Sequence, residues 1–478
     1  MKKIQNFLNS KFGEILIIIF ILIAGFVVRL YHLNSPLADW HSWRQADTAS
    51  VARIYLDKGI DLLHPRYYDI SKIQTGAYNP EGYRMVEFPI RDALHAILAK
   101  NFTFVGFEAW GRLISIFCAL ISAFFLYLIA KHYSGKWTGL TAAFIFLFIP
   151  YNIYFSRVIL PEPMAVMFGV ISLYLFVKEK YIFSAVFLAL GSLLKPFVFF
   201  YGLPMLYLAI DKYGFSGIFK KKILIVFADI ALIPFFLWRI WVNGYPNGIP
   251  HFDWAFNGDH IRFRPAFWYW IFGERIGRLI LGVWGVVPLS IALIKTEKKN
   301  LFSFFFLFGV VLYTITIATA NVRHDYYQIF LVPALALMVA EGLRHLWVEK
   351  TFNHVISRPF SIFVVFLMLM IGYFQVKEYY KINHTEIIEA GQALDKIAPK
   401  DAIVIAPYNG DTAFLYQTKR FGFPVVDEAI EDMVSKRGAS YFVTVNYADP
   451  DTKYVMDHFK VLEKTNTYMI ADLTKKAK

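Results

Sequence analysis

The chain is cut into apolar runs long enough to cross a bilayer, separated by short connections that carry many of its lysines and arginines. A hydrocarbon layer about 30 Å thick requires about 20 predominantly apolar residues per helix, and about eleven runs approach that length. They lie near residues 14–33, 110–131, 136–156, 160–177, 181–195, 197–211, 222–242, 275–294, 301–320, 326–346 and 359–377. Inside lipid the backbone must satisfy its own hydrogen bonds, so runs of this kind fold as helices. With 57% hydrophobic and 18% charged residues, the chain reads as an integral membrane protein with soluble parts attached.

The net charge of +13 would suit a nucleic-acid partner if it were gathered on one face. Instead the cations cluster at Lys131 to Lys136, Lys178 to Lys180, Lys212 to Lys222, Lys295 to Lys299 and Arg344 to Arg358. These are alternate connections of one topology, the positive-inside pattern of a multi-pass protein, and no nucleic-acid partner is implied. Met1-Lys2-Lys3 and the run from Ile15 to Val28, followed by Arg29 without a small-residue cleavage pattern, predict an uncleaved first spanning helix. The single cysteine, Cys118, lies in an apolar run, so no disulfide forms within one chain.

With the N-terminus inside, an odd number of spans places the C-terminus outside. The same count exposes loop 34–109, the turn from Arg157 to Glu162, loop 243–274 and the turn from Asn321 to Tyr327 on the outer side. Loop 34–109 predicts a helix over Asp47 to Lys58. A second, Ile90 to Phe102, has Ala93, Leu94, Ile97 and Leu98 spaced for lying along the membrane surface. The division expected is a membrane domain over 1–378 and a small α/β domain over 379–478. In that tail, helix 385–397, strands Ala402–Ala406, Tyr441–Val445 and Thr467–Ala471, and a helix started by Asp449-Pro450 are predicted. Asn409-Gly-Asp411-Thr412 reads as a turn and helix cap.

Chemistry concentrates at the first exit from the membrane. Asp39-Trp-His41-Ser-Trp-Arg44-Gln-Ala-Asp47, continuing to Arg53, packs acids, arginines, a histidine and tryptophans where headgroups meet water. Such a cluster suits a polar, anionic group carried by a lipid. Together with Ala52-Arg53, the motifs Val86-Glu87-Phe88-Pro89, Gly111-Arg112-Leu-Ile-Ser115, Ser156-Arg157-Val-Ile-Leu-Pro161-Glu162, Gly191-Ser-Leu-Leu-Lys195-Pro196 and His324-Asp-Tyr326-Tyr327 follow in order. In that succession, over roughly residues 14–345, the chain resembles the polyprenyl-phosphate-dependent membrane glycosyltransferases of the C-type superfamily. That group holds protein O-mannosyltransferases and aminoarabinose transferases.

The resemblance implies a multi-pass, inner-membrane transferase. It would move a sugar from polyprenyl phosphate to a hydroxyl of a lipid, glycan or protein outside the cytoplasm, by a single inverting displacement. Attack by a hydroxyl on an anomeric carbon needs a base, and a positioned carboxylate typically supplies about 10²–10⁴-fold. The leaving lipid phosphate is already anionic and needs cations and oriented donors.

The family's Asp-Glu pair, nine and eight residues before the arginine matching Arg53, is Arg44-Gln45 here. The base is therefore displaced, to Asp47 one helical turn on, which is favoured, or to Asp39 before the helix; the alternative role for either is helix capping. Where the family has lysine, this chain has Phe88, leaving phosphate to Arg44, Arg84 or Arg91, or those arginines to lipid headgroups. Glu87 is expected to orient Arg44 or meet the sugar. Lys195, between two apolar runs, is costly unless it snorkels or meets the donor phosphate. Glu162, His41 and His324 are candidates for sugar or acceptor contact and Tyr327 for phosphate or the aromatic belt.

No cofactor is implied. A divalent metal is possible in principle, but His251-Phe-Asp253 and Asp259-His260 are weak ligand sets. Asp449-Pro-Asp451 reads as a helix start rather than a nucleotide-sugar motif. Two rival readings stand beside the enzyme: a lipid or solute transporter, for which paired halves and broken midplane helices are not evident, and a non-catalytic scaffold derived from such an enzyme, which the missing Asp-Glu pair keeps open.

Overall fold

The computed structural model describes residues 7, 10–298 and 301–477. Helical segments lie on each of the apolar runs read from the sequence. Among the described residues, five helices are long and apolar enough to cross a membrane as single segments: Lys11–Arg29, Phe107–Ser134, Lys222–Val242, Asp325–Val348 and His354–Tyr380. Other runs are interrupted, and their helices are correspondingly shorter. The Lys136–Phe148 helix gives way to a new one at Pro150. The Tyr181–Leu194 helix stops at Lys195, whose backbone is extended (φ −151°, ψ 117°), the conformation proline imposes on the residue before it. A 3-10 turn, Pro196–Tyr201, and the Gly202–Tyr213 helix follow.

The chain divides into two compact units. The first comprises Met1–Leu33, Arg112–Leu237 and Phe252–Glu378. Small residues bring its helices to backbone contact. A Cβ on Gly342 would lie 1.8 Å from the Pro288 carbonyl oxygen, so the Val286–Ile294 and Val332–Val348 helices meet there without a side chain between them. Ser172 and Ser184 each donate to the other's carbonyl, at 2.7 and 2.8 Å, and pin the Glu162–Val177 helix to the Tyr181–Leu194 helix. Fully buried arginines hold the end of the first span: Arg112 donates to the Leu33 carbonyl at 2.7 Å and Arg157 to that of His32 at 2.8 Å. Both belong to the motifs singled out in the sequence.

The second unit comprises Asn34–Gly111, Trp238–His251 and Tyr379–Lys478. Its centre is a five-stranded sheet in the order β2-β1-β3-β5-β4. The strands are β1 (Ile403–Ile405), β2 (Gly422–Phe423), β3 (Ala439–Thr444), β4 (Phe459–Lys464) and β5 (Met469–Lys476). β1 runs parallel to β2 and β3, and β5 antiparallel to β3 and β4. Three predicted strands fall on β1, β3 and β5. The predicted helices appear as Glu386–Ile397 and Pro450–His458, the latter capped by Asp449. Asp411 caps the Thr412–Thr418 helix.

The tail does not stand as a unit by itself. Tyr68 accepts a bond from the Gly422 amide at 2.9 Å and Ile70 donates to the Gly422 carbonyl at 3.0 Å. The first loop thereby pairs with the β2 edge, which would otherwise present unpaired backbone groups, and Ile70 enters the tail's core with Ile405, Phe442 and Met469. Stretch 238–251 joins the same unit through Trp241 donating to the Leu63 carbonyl and the His251 amide to that of Gln74. Of the two loop helices, one spans Ile90–Asn101 as expected; the other starts earlier than Asp47, at Ser42, and runs to Lys58.

Candidate active site

The Ser42–Lys58 helix is polar by sequence yet buried from Arg44 to Ala52. Buried polar groups must be paired, and here they are. Arg44 forms an ion pair with Glu87 and donates to Thr48 Oγ1 at 3.1 Å. Gln45 donates its amide to Asp39 Oδ1 at 2.8 Å. Asp47, with no exposed surface, faces Arg84 at 3.0 Å and accepts from Thr412 Oγ1 at 2.8 Å and Gln74 Nε2 at 3.4 Å. Arg84 also donates to Gln74 at 2.5 Å and lies 5.0 Å over the Tyr67 ring. The helix begins at His41, which takes the left-handed conformation (φ 56°) and makes no side-chain cap bond. Neither Asp39 nor Asp47 caps it; both turn to side chains.

His41 lies edge-on to Trp40, with ring centroids 5.1 Å apart. Arg91, fully buried, donates to the Gly111 carbonyl at 2.8 Å and lies 3.6 Å from Asp92. Burial pushes the Asp92 carboxyl up to about 6, opposed by Arg91 and reinforced by Glu87. Arg44, Glu87, Arg91 and Asp92 thus share one electrostatic neighbourhood.

Two further acids here, Asp69 and Asp411, were not among the site residues expected from the sequence. Asp69 is buried beside Asp47. Its Oδ1 accepts the Ser71 amide at 2.8 Å, and its Oδ2 has no hydrogen-bond partner among the described residues. Burial pushes its carboxyl up to about 7, with Asp47 adding to the rise. Asp411 rises to about 6 by burial, again with Asp47 adding, although it keeps its bond to the Ala413 amide. Thr412, the next residue, reaches Asp47. The one signal for Asp69 in the sequence is an acid set in the apolar stretch Tyr67-Tyr68-Asp69-Ile70, where every neighbour favours a buried strand.

A stability prediction follows for Asp69. Its folded pKa lies above the unfolded value, so the unfolded chain releases its proton first. The resulting penalty is absent below about pH 4, grows to about pH 7 and stays constant above, reaching roughly 4 kcal/mol. Asp69→Asn keeps an acceptor for Ser71 and removes the charge. Its unfolding temperature should therefore exceed that of the parent chain by a margin that widens between pH 4 and pH 7. A constant margin across that range would show that Asp69 does not titrate there.

The first unit holds the remaining candidates. Lys195 lies 3.1 Å from Glu162, and both are buried. The Lys195 ammonium is 5.8 Å from the Tyr327 ring centroid and 6.0 Å from that of Phe197. His324 is 6.2 Å from Tyr327 and 5.8 Å from Trp254 between ring centroids. The structure thus groups Glu162, Lys195, Tyr327 and His324 in one unit, and Asp39, His41, Arg44, Asp47, Arg84, Glu87 and Arg91 in the other. Among the described residues no group of three or more His, Cys, Asp or Glu side chains is placed to hold a metal ion. Asp259 lies 3.3 Å from Arg323.

Residues 93–241 match the family of dolichyl-phosphate-mannose-protein mannosyltransferases. No curated protein matches the sequence. Among solved structures, ArnT from Cupriavidus metallidurans bound to undecaprenyl phosphate is similar at TM-score 0.66 and 10% identity, over 97% of this chain and 98% of that one. Its apo state gives a TM-score of 0.67 at 11% identity, over 95% and 97%. The archaeal oligosaccharyltransferase AglB from Archaeoglobus fulgidus, in complex with an inhibitory peptide and a dolichol-phosphate, gives 0.58 at 9% identity, over 97% of this chain and 75% of that one. The fold is that of the C-type membrane glycosyltransferases, and the resemblance read from the sequence holds.

Proposed function

We propose that this chain is a membrane glycosyltransferase that moves a sugar from polyprenyl phosphate to an acceptor hydroxyl on the extracytoplasmic side, by a single displacement that inverts the anomeric carbon. The observation that carries this reading is the likeness to undecaprenyl-phosphate-bound ArnT over nearly the whole of both chains, joined to the mannosyltransferase family match. The buried acids and cations of the first loop supply the chemistry.

Asp47 is gripped by a guanidinium and a hydroxyl, with an amide at longer range. A carboxylate so engaged has its lone pairs committed to neighbouring groups and serves as an anchor. We therefore assign Asp47 to positioning the Ser42–Lys58 helix and the base to Asp39, whose Oδ1 is oriented by the neutral Gln45 amide. Lys195, with Tyr327 beside it, is assigned to the donor phosphate, and Arg44, held by Glu87, to ordering the polar face of the first loop. Arg84 and Arg91 are assigned to holding the loop rather than to direct contact with phosphate. Glu162 and His324, both in the first unit, are assigned to contact with the donor sugar.

The test is release of lipid phosphate by the purified protein from a panel of polyprenyl-phosphate sugars, with a hydroxyl acceptor present. Turnover with at least one donor is expected. No turnover with any donor and acceptor would leave the transporter and scaffold readings in its place.

A further inference from the structure

The second unit contains a cavity of about 660 Å³ whose lining residues have no role assigned above. Its size lies within the ~300–1,000 Å³ range of small-molecule sites. One wall is the C-terminal end of the Ser42–Lys58 helix, another the loop around Arg66 and Glu81, and the third the tail around Lys400, Lys419 and Phe421. Its lining mixes three kinds of group, and each one narrows what fits.

Positive charge is in excess on the tail wall. Lys400, Lys419 and Arg420 all converge on a single carboxylate, Asp395, at 2.6, 2.9 and 2.8 Å. Lys400 and Lys419 line the cavity, whereas Arg420 is buried outside it and also donates to the Pro399 and Ala398 carbonyls. Two lysines at the wall thus share one acid already held by a third cation. Despite partial burial, those hydrogen bonds keep the Asp395 carboxyl well below its ordinary range. Across the cavity, Arg53 is fixed rather than mobile. Its guanidinium lies 4.2 Å over Phe107 and 5.2 Å over Tyr416, and it donates to Glu108 and to the Tyr416 hydroxyl.

An aromatic face accompanies the charge. Phe421 is set edge-to-face against Tyr68 and carries the Lys58 ammonium 4.7 Å from its ring centroid. Finally, the carboxylates of Asp57 and Asp401 line the same space and form no ion pair among the described residues. Carboxylates repel a bare anion but accept hydrogen bonds from hydroxyls. A simple phosphate site would not carry them, and a site for a neutral sugar would not gather lysines around one acid.

We infer that this cavity binds an acidic saccharide, a sugar chain carrying carboxylate or phosphate groups, as the acceptor of the transferase. The anionic substituents meet Lys400 and Lys419, the hydroxyls meet Asp57 and Asp401, and a sugar ring lies against Phe421. The inference rests on the glycosyltransferase reading but is tested without turnover.

The full chain in lipid nanodiscs is titrated calorimetrically with a tetrasaccharide alternating glucuronate and N-acetylglucosamine, with chitotetraose as the neutral counterpart and with inorganic phosphate. The acidic tetrasaccharide should bind at least tenfold tighter than chitotetraose and weaken as salt rises. Lys419→Glu should weaken it at least tenfold. Lys400→Gln, at an exposed side chain whose loss leaves Asp395 with two partners, should weaken it severalfold with the unfolding temperature unchanged. Equal affinity for both saccharides, binding of neither, displacement by phosphate at equal concentration, or affinity unmoved by both variants would overturn the inference. Failure of lipid phosphate release would strike the transferase reading and leave these binding results standing.

Discussion

Asp39→Asn is expected to lower sugar transfer by about 10²–10⁴-fold, the usual contribution of a positioned general base, with little change in unfolding temperature. The substitution keeps an oxygen to accept the Gln45 amide, so the loop before the Ser42–Lys58 helix keeps its hydrogen bond and loses only its basic group. Asp47→Asn is expected to behave differently. It strips the charge opposite Arg84, whose guanidinium is nearly buried, and breaking such a pair on one side costs about 3–5 kcal/mol. That variant should lose stability and activity together. Replacing both partners, Asp47→Asn with Arg84→Gln, should recover most of the stability, because no unpaired charge remains. Two readouts together separate the roles: Asp39→Asn should lose kcat at the parent unfolding temperature, whereas Asp47→Asn should lose kcat and unfolding temperature together. Activity at the parent level in Asp39→Asn would move the base to Asp47.

These assignments show where the sequence was legible and where it was not. The spanning runs were readable because lipid leaves the backbone no partner but itself, and the break at Lys195-Pro196 because proline dictates the conformation before it. The tail strands β1, β3 and β5 announced themselves as short apolar runs. β4 did not, because Phe459-Lys-Val-Leu-Glu-Lys464 alternates too weakly and faces partly outward; β2 has only two residues. The start of the Ser42–Lys58 helix was hidden for a different reason. Its buried face is made of arginine, glutamine, aspartate and threonine, so burial there follows from hydrogen-bond partners far along the chain, Glu87, Arg84 and Thr412, and not from periodicity. The same is true of Asp69. A buried acid is recognised by what surrounds it, and its surroundings come from Asp47 and from the β2 edge at Gly422, neither of which adjoins it in sequence.

Lys195→Met should raise the concentration of lipid phosphate needed for half-occupancy by about tenfold to a hundredfold. A hydrogen bond to a charged group is worth about 1.5–3 kcal/mol, and each 1.4 kcal/mol is a factor of ten. In the structure Lys195 is matched by Glu162 at 3.1 Å, both sheltered from solvent. A side chain in that position keeps a fixed partner, so a donor phosphate would be met by a lysine already placed. The single variant leaves Glu162 buried without its cation, and a fall in stability is expected with the fall in affinity. The pair Lys195→Met with Glu162→Gln removes both charges and should restore the unfolding temperature while affinity for undecaprenyl phosphate stays low. Methionine fills the lysine's apolar volume, so packing against Phe197 and Tyr327 is retained. Parent-level binding of undecaprenyl phosphate by the double variant, measured by native mass spectrometry, would reduce the Lys195–Glu162 pair to a structural ion pair and remove Lys195 from the donor site.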